Sequence, residues 1–106
     1  MELYARPDAT GAWVVTLLGE LDLAAVPGFR SATQEALGDG WIEMVIDLES
    51  VSFVDSAGLG ALVGLRRRLN ERDGSLVLRT NDHVVRTLTA SGLGSLFGLV
   101  ESRSET

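Results

Sequence analysis

Apolar and polar residues change period several times along this chain. Trp13-Val14-Val15-Thr16-Leu17-Leu18 is β-branched and aromatic, and reads as a strand. Leu3 to Arg6 is a shorter strand candidate, and Pro7-Asp8-Ala9-Thr10-Gly11 between them has turn composition. The pair is expected to form a hairpin. After Gly19-Glu20-Leu21-Asp22 the period becomes helical, with Val26, Phe29, Thr33, Ala36 and Leu37 on one side.

Pro27 fixes where that helix begins. A start at Asp22 puts Pro27 beyond the first turn, where it lacks the N–H for an i−4 bond and its ring meets a carbonyl. Proline belongs in the first turn, so the helix is expected from near Ala25 to about Leu37. Asp22 is then left in the loop without a capping duty. Gly38-Asp39-Gly40 ends the helix, with Gly38 in the C-terminal position. Trp41 to Leu48 follows, apolar enough for a central strand covered on both faces.

The chain is organised around Met44 to Leu69. Its opening strand runs into a polar link, Glu49-Ser50-Val51-Ser52. Phe53-Val54-Asp55-Ser56-Ala57-Gly58 then leads into a helix reaching about Asn70. Phe53 and Val54 are expected in the core. Asp55 and Ser56 both suit an N-cap, because their oxygens accept from the first free N–H groups. Leu62, Leu65 and Leu69 form one helical face. Leu59 and Val63 fall off that face and are expected outward. Arg66, Arg67 and Arg68 lie in the last turns, where cations suit the dipole and form a solvated helix end. A hydroxyl thus sits at a helix N-terminus, where amides and dipole favour an anion. Gly58, Gly60, Ala61 and Gly64 crowd the first two turns. Each interior glycine costs roughly 0.5–1 kcal/mol relative to alanine. Close packing on the sheet and close approach by another chain both explain them, on different faces.

Asp73-Gly74 stops this helix, and Leu76-Val77-Leu78 is the next strand. Asn81-Asp82 caps a third helix with Val84, Val85 and Leu88 apolar. Gly92 closes it, with Leu93 packing back. Leu96 to Val100 supplies a last short strand. Strands alternating with helices imply parallel pairing and crossover units. The expected fold is a single α/β domain over residues 1–101, with a polar tail at 102–106. Its sheet is mixed, mostly parallel, with four to five strands and three helices.

Composition narrows the functions. A chain of 106 residues, 45% hydrophobic, builds one core without staples. With no cysteine there is no disulfide or thiolate metal site. No apolar run reaches the roughly 20 residues that span a bilayer, and Met1-Glu2-Leu3-Tyr4 does not open as a signal peptide. A cytoplasmic protein that does not engage a membrane is expected. Net charge is −6, against a nucleic-acid partner. All nine cationic side chains are arginines. Without lysine, P-loop and Schiff-base chemistry fail, and so does a receiver of the response-regulator type. Asp47 is therefore read as a structural or loop residue.

Phe53 to Gly60 resembles the signature of the STAS domain, the fold of anti-sigma factor antagonists. That pattern is an apolar strand, Phe, an apolar residue, Asp, Ser, a small residue, Gly, Leu, Gly. Gly19-Glu20-Leu21-Asp22 resembles the family as well, as do Ala90-Ser91-Gly92-Leu93 and Leu96-Phe97. The resemblance covers nearly the whole chain. It implies phosphorylation of Ser56 by a partner kinase, with Asp22 beside the site. Where the family often has a second Ser or Thr, this chain has Ala57. The family's last helix is expected to be short or absent, because the chain stops early; either one side of the sheet is barer, or the sequence itself is short.

The implied function is that of an anti-sigma factor antagonist. Its dephosphorylated form binds an anti-sigma factor with serine kinase activity and releases a sigma factor. Phosphorylation of Ser56 ends that binding, and a metal-dependent serine phosphatase resets it. No cofactor is implied, and the chain is not expected to be an enzyme. Asp22, Asp55, Ala57, Gly58, Leu59, Gly60 and Val63 are the candidate partner-binding residues. One alternative is a STAS-type subunit of a transport or signalling complex without a phosphoswitch. Another is a hydrolase using Ser56, His83 and an acid. It lacks the Gly-x-Ser-x-Gly elbow, because the residues read Val54-Asp55-Ser56-Ala57-Gly58.

Overall fold

The computed structural model of the chain describes residues 1–101; the expected polar tail at 102–106, and with it the expected shortness or absence of a last helix, lie outside them. Five strands form one sheet in the order β1-β2-β3-β4-β5. They are β1 (Glu2–Pro7), β2 (Trp13–Leu21), β3 (Glu43–Val54), β4 (Ser75–Thr80) and β5 (Gly98–Glu101). The helices are α1 (Val26–Gly38), α2 (Ser56–Asn70) and α3 (Asp82–Ala90). β1 pairs antiparallel with β2 as the expected hairpin, and all other pairings are parallel. The hairpin turn is held by Asp8, whose Oδ1 accepts from the Thr10 hydroxyl at 2.7 Å and the Thr10 and Ala12 amides at 2.8 and 3.0 Å. Those bonds, the Thr10 hydroxyl first, hold the Asp8 carboxyl below its ordinary range.

Each crossover moves one strand along the sheet in the same direction. Right-handed crossovers of that kind place all three helices on one face. Burial agrees. Val15, Leu17, Met44, Ile46, Leu48, Leu76 and Leu78 are buried, while Thr16, Val45, Asp47, Val77 and Arg79 between them are half-buried. β3 is therefore covered on one face, not on both as its composition suggested. The face opposite the helices is the barer one.

The helix-side core joins these strand residues to Phe29, Ala36 and Leu37 of α1, Leu62, Leu65 and Leu69 of α2, and Val84 and Leu88 of α3. The inner residues expected for α1 are all buried, Thr33 included, its hydroxyl donating to the Phe29 carbonyl at 3.0 Å. At the start of the sheet the Trp13 and Trp41 rings lie 5.0 Å apart, tilted by 32°.

Helix ends follow local chemistry. α1 begins at Val26, with Pro27 in its first turn. It ends at Gly38, one residue later than expected. The Trp41 amide donates to the Ala36 carbonyl at 3.1 Å and that of Gly40 to Leu37 at 3.0 Å. Gly40, at φ 95°, is the left-handed residue of this cap, and Gly38 stays in the helix. Gly92, at φ 78°, plays the same part after α3, with Leu93 N–H donating to Leu88 at 2.9 Å. Asn81 caps α3, its Oδ1 accepting from Val84 N–H at 2.8 Å.

The expected polar link is not a link. Glu49 to Ser52 belong to β3, which continues to Val54. Between the β2–β3 pairs Thr16↔Asp47 and Leu18↔Ser50, and again between Gly19↔Val51 and Glu20↔Phe53, β3 carries one extra residue. Bulges of this kind bend and twist a strand. Here they also change its inward spacing, so Leu48, Val51 and Val54 all face the core. Phe53 is consequently turned out and 45% exposed, where the pattern placed it in the core. The Asn81 Nδ2 group donates to the Leu48, Glu49 and Val51 carbonyls at 3.2, 3.0 and 3.0 Å. The two N–H bonds of one side chain thus serve three carbonyls of the bulged stretch, one of them shared. Asp47 stands mid-strand, its Oδ1 accepting from Glu49 N–H at 3.0 Å.

Candidate functional site

β2 and β3 end side by side, with Leu21 opposite Val54. Each then feeds a helix, so the turn before α1 and the first turn of α2 meet. Asp55 is the N-cap of α2, its Oδ1 accepting from Gly58 N–H at 2.9 Å. Its Oδ2 accepts from Leu23 N–H at 3.1 Å, and its own amide donates to the Leu21 carbonyl at 3.3 Å. Capping falls to Asp55 alone.

Ser56 is the first residue of α2 and is exposed. Among the described residues its hydroxyl has no hydrogen-bond partner in the fold. The hydroxyl stands free where helix amides and dipole favour an anion. Ala57 beside it is half-buried.

The small residues of α2 divide. A Cβ at Gly58 would overlap the Leu21 carbonyl oxygen and crowd the Leu21 and Val54 side chains at 3.0 Å. Glycine there is required by packing. At Gly60 a Cβ would meet nothing within 4 Å. Gly60 is exposed, and no intramolecular contact explains it. Leu59 and Val63 are half-buried and pack against the core's edge, so the outward placement expected of them holds only in part. The reason is helix width: the stripe through Leu62, Leu65 and Leu69 is flanked by positions that still graze the sheet.

Asp22 lies in the turn and, as expected, does not cap α1, whose N-cap is Ala25 without a side-chain bond; its carboxylate is nevertheless bonded within the turn. Its Oδ1 accepts from Ala25 N–H at 3.1 Å, and its carbonyl from Ala25 and Val26 N–H at 2.9 and 3.1 Å. It closes the turn before α1 and is not the N-cap, because the helix starts four residues on, where Pro27 permits. Asp22 also lines an open groove of about 650 Å³ with Gly19, Glu20, Ala24, Gly28 and Ser52. Leu23 at the tip is 71% exposed. It was missed in the sequence, where nothing separates it from a core leucine.

His83 is exposed in the first turn of α3, and no hydrogen bond joins it to Ser56 among the described residues. Among those residues no group of His, Asp and Glu could hold a metal ion. None of their helices is long and apolar enough to cross a membrane.

Ser56 stands at a helix start just past a strand, where the Phe53–Gly60 pattern put a hydroxyl. The STAS domain profile matches residues 2–106. The chain belongs to the STAS domain family. An anti-sigma-B factor antagonist of Staphylococcus aureus (strain NCTC 8325 / PS 47) is 36% identical over 84 residues, 78% of each chain. An anti-sigma factor antagonist from Mycobacterium paratuberculosis superposes with TM-score 0.82 and 27% identity, over 92% of this chain and 83% of that one. The Bacillus cell fate determinant SpoIIAA in its phosphorylated form gives TM-score 0.76 and 26% identity, over 97% and 93%. Both solved structures share this chain's fold.

Proposed function

We propose that this STAS domain is an anti-sigma factor antagonist switched by phosphorylation of Ser56. Dephosphorylated, it binds in the cytoplasm to an anti-sigma factor that is also an ATP-dependent serine kinase, and so frees a sigma factor. The kinase phosphorylates Ser56 and the complex parts. A metal-dependent serine phosphatase restores the hydroxyl. The chain is ligand and substrate, and the catalysis is the partner's.

The observation that carries this reading is the state of the Ser56 hydroxyl. It is exposed, unpaired among the described residues and relieved of capping by Asp55. An incoming kinase meets no competing hydrogen bond there. The groove beside Asp22 and the exposed Leu23 in the same turn offer a partner a surface to cover.

The test is incubation with ATP and the cognate anti-sigma kinase, followed by peptide mass spectrometry. One phosphate is expected, on the peptide holding Ser56, and none in Ser56→Ala. Label persisting in Ser56→Ala would move the acceptor elsewhere. A chain that binds its partner without ever taking phosphate would be a STAS subunit without the switch.

A further inference from the structure

We propose that Asp55 is a positioning residue for Ser56 phosphorylation, acting through the Asp22–Ala25 turn rather than by touching the partner. This rests on the reading of Ser56 as the phosphoacceptor. The carboxylate is shared between two elements, with Gly58 N–H at 2.9 Å on one oxygen and Leu23 N–H at 3.1 Å on the other. Both are charge-assisted bonds, stronger than a neutral pair. The other bonds of the turn are internal, from Ala25 and Val26 back to Asp22. Leu23 and Ala24 are exposed, and neither belongs to the core or packs against it. The bond from Leu23 to Asp55 therefore ties the turn's tip to the residue preceding Ser56. It sets where Asp22 and Leu23 stand relative to the hydroxyl.

Leu23 allows a clean cut. It is the second residue of the turn closed by Ala25 N–H on the Asp22 carbonyl, the position at which proline is favoured. Leu23→Pro deletes the N–H that reaches Asp55 and leaves the α2 cap intact. Leu23→Ala keeps the N–H and removes only the side chain. Asp55→Ser is the second route, since serine still caps but is too short for Leu23.

Steady-state phosphorylation by the cognate kinase, at saturating ATP, reads the effect. Leu23→Pro and Asp55→Ser should raise KM for this chain on the order of tenfold beyond Leu23→Ala, with kcat held within about twofold. The double variant should be no worse than the worse single one, because both break the same bond. Amide exchange at Leu23 should quicken in Asp55→Ser, and circular dichroism should show all variants folded. Equal KM for Leu23→Pro and Leu23→Ala, or multiplying effects in the double variant, would overturn the proposal while leaving Ser56 as acceptor. A wild-type chain that takes no phosphate would overturn both.

Discussion

Gly58 packs against Leu21 so closely that any side chain at residue 58 would overlap the Leu21 carbonyl oxygen. That oxygen also accepts from Asp55 N–H at 3.3 Å, so it cannot retreat freely. The contact sets how near β2's end lies to the start of α2, and hence how near the Asp22 turn lies to Ser56.

Two alanine substitutions separate packing from partner contact. Alanine gains about 0.5–1 kcal/mol over glycine inside a helix. At Gly58 overpacking outweighs that gain, costing typically 1–3 kcal/mol. Gly58→Ala should unfold earlier in urea than wild type. Gly60→Ala meets nothing and should be more stable by up to about 1 kcal/mol. If Gly60 is bare for a partner, the same variant should bind the anti-sigma factor more weakly. Tighter or unchanged binding would leave Gly60 without a partner role.

Asn81 carries an independent test of the bulged strand. Asn81→Ser keeps an N-cap but removes the Nδ2 donors from the carbonyls of Leu48, Glu49 and Val51. Leaving a buried acceptor unpaired costs about 1–3 kcal/mol. Leu48 and Val51 are buried, so a loss of roughly 2 kcal/mol in urea unfolding is expected. Asn81→Asp keeps the size and the cap but turns a carboxylate toward three carbonyls. It should be the less stable of the two at neutral pH. Equal stability of wild type and Asn81→Ser would show that the bulges hold without this side chain.

How far the fold was legible follows from the same residues. Helices, strands and their order stand in the apolar periods, and Pro27 alone placed the start of α1. Bulges defeated the pattern from Glu49 to Phe53. Inward spacing there is three residues, so a period of two misreads both the polar stretch and Phe53. Gly38 and Gly40 lie within one turn and look alike in the sequence; only the hydrogen bonds of Gly40 and Trp41 decide which is left-handed. The site was read from the motif and its position at a helix start. The sharing of Asp55 between Gly58 and Leu23 was hidden, because a contact across 32 residues leaves no local signal.

Asp22 joins a structural bond to a charge, and two variants pull them apart. Its Oδ1 accepts from Ala25 N–H, a bond an asparagine oxygen can also accept. Asp22→Asn should therefore melt within a few degrees of wild type while slowing phosphorylation or weakening kinase binding. Asp22→Ala loses the bond as well, and should cost about 0.5–1.5 kcal/mol, as the loss of one hydrogen bond does. Melting curves beside kinase assays check both. Normal phosphorylation in Asp22→Asn, with a large loss of stability, would make the residue purely structural.

Phosphorylation of Ser56 should act by charge at the interface and leave the domain folded. A phosphoserine adds about −1.5 to −2 charges at neutral pH. At the start of α2 the dipole returns roughly 0.3–1 kcal/mol. Asp55 opposes it. Unit charges about 6 Å apart repel by roughly 0.7 kcal/mol in water and about 3 kcal/mol at an effective dielectric of 20. Ser56 is exposed, so the lower figure governs the free chain and the terms nearly cancel. Under a bound partner the same dianion loses water or faces like charge, at several kcal/mol. Each 1.4 kcal/mol is about tenfold in affinity, so binding should fall by orders of magnitude. Ser56→Asp should then fold normally and bind the anti-sigma kinase poorly, while Ser56→Ala binds well. Calorimetry of both variants against that partner, beside circular dichroism, reads the outcome. Equal affinities would exclude a charge switch at Ser56, and loss of folded signal in Ser56→Asp would place the effect in the domain instead of the interface.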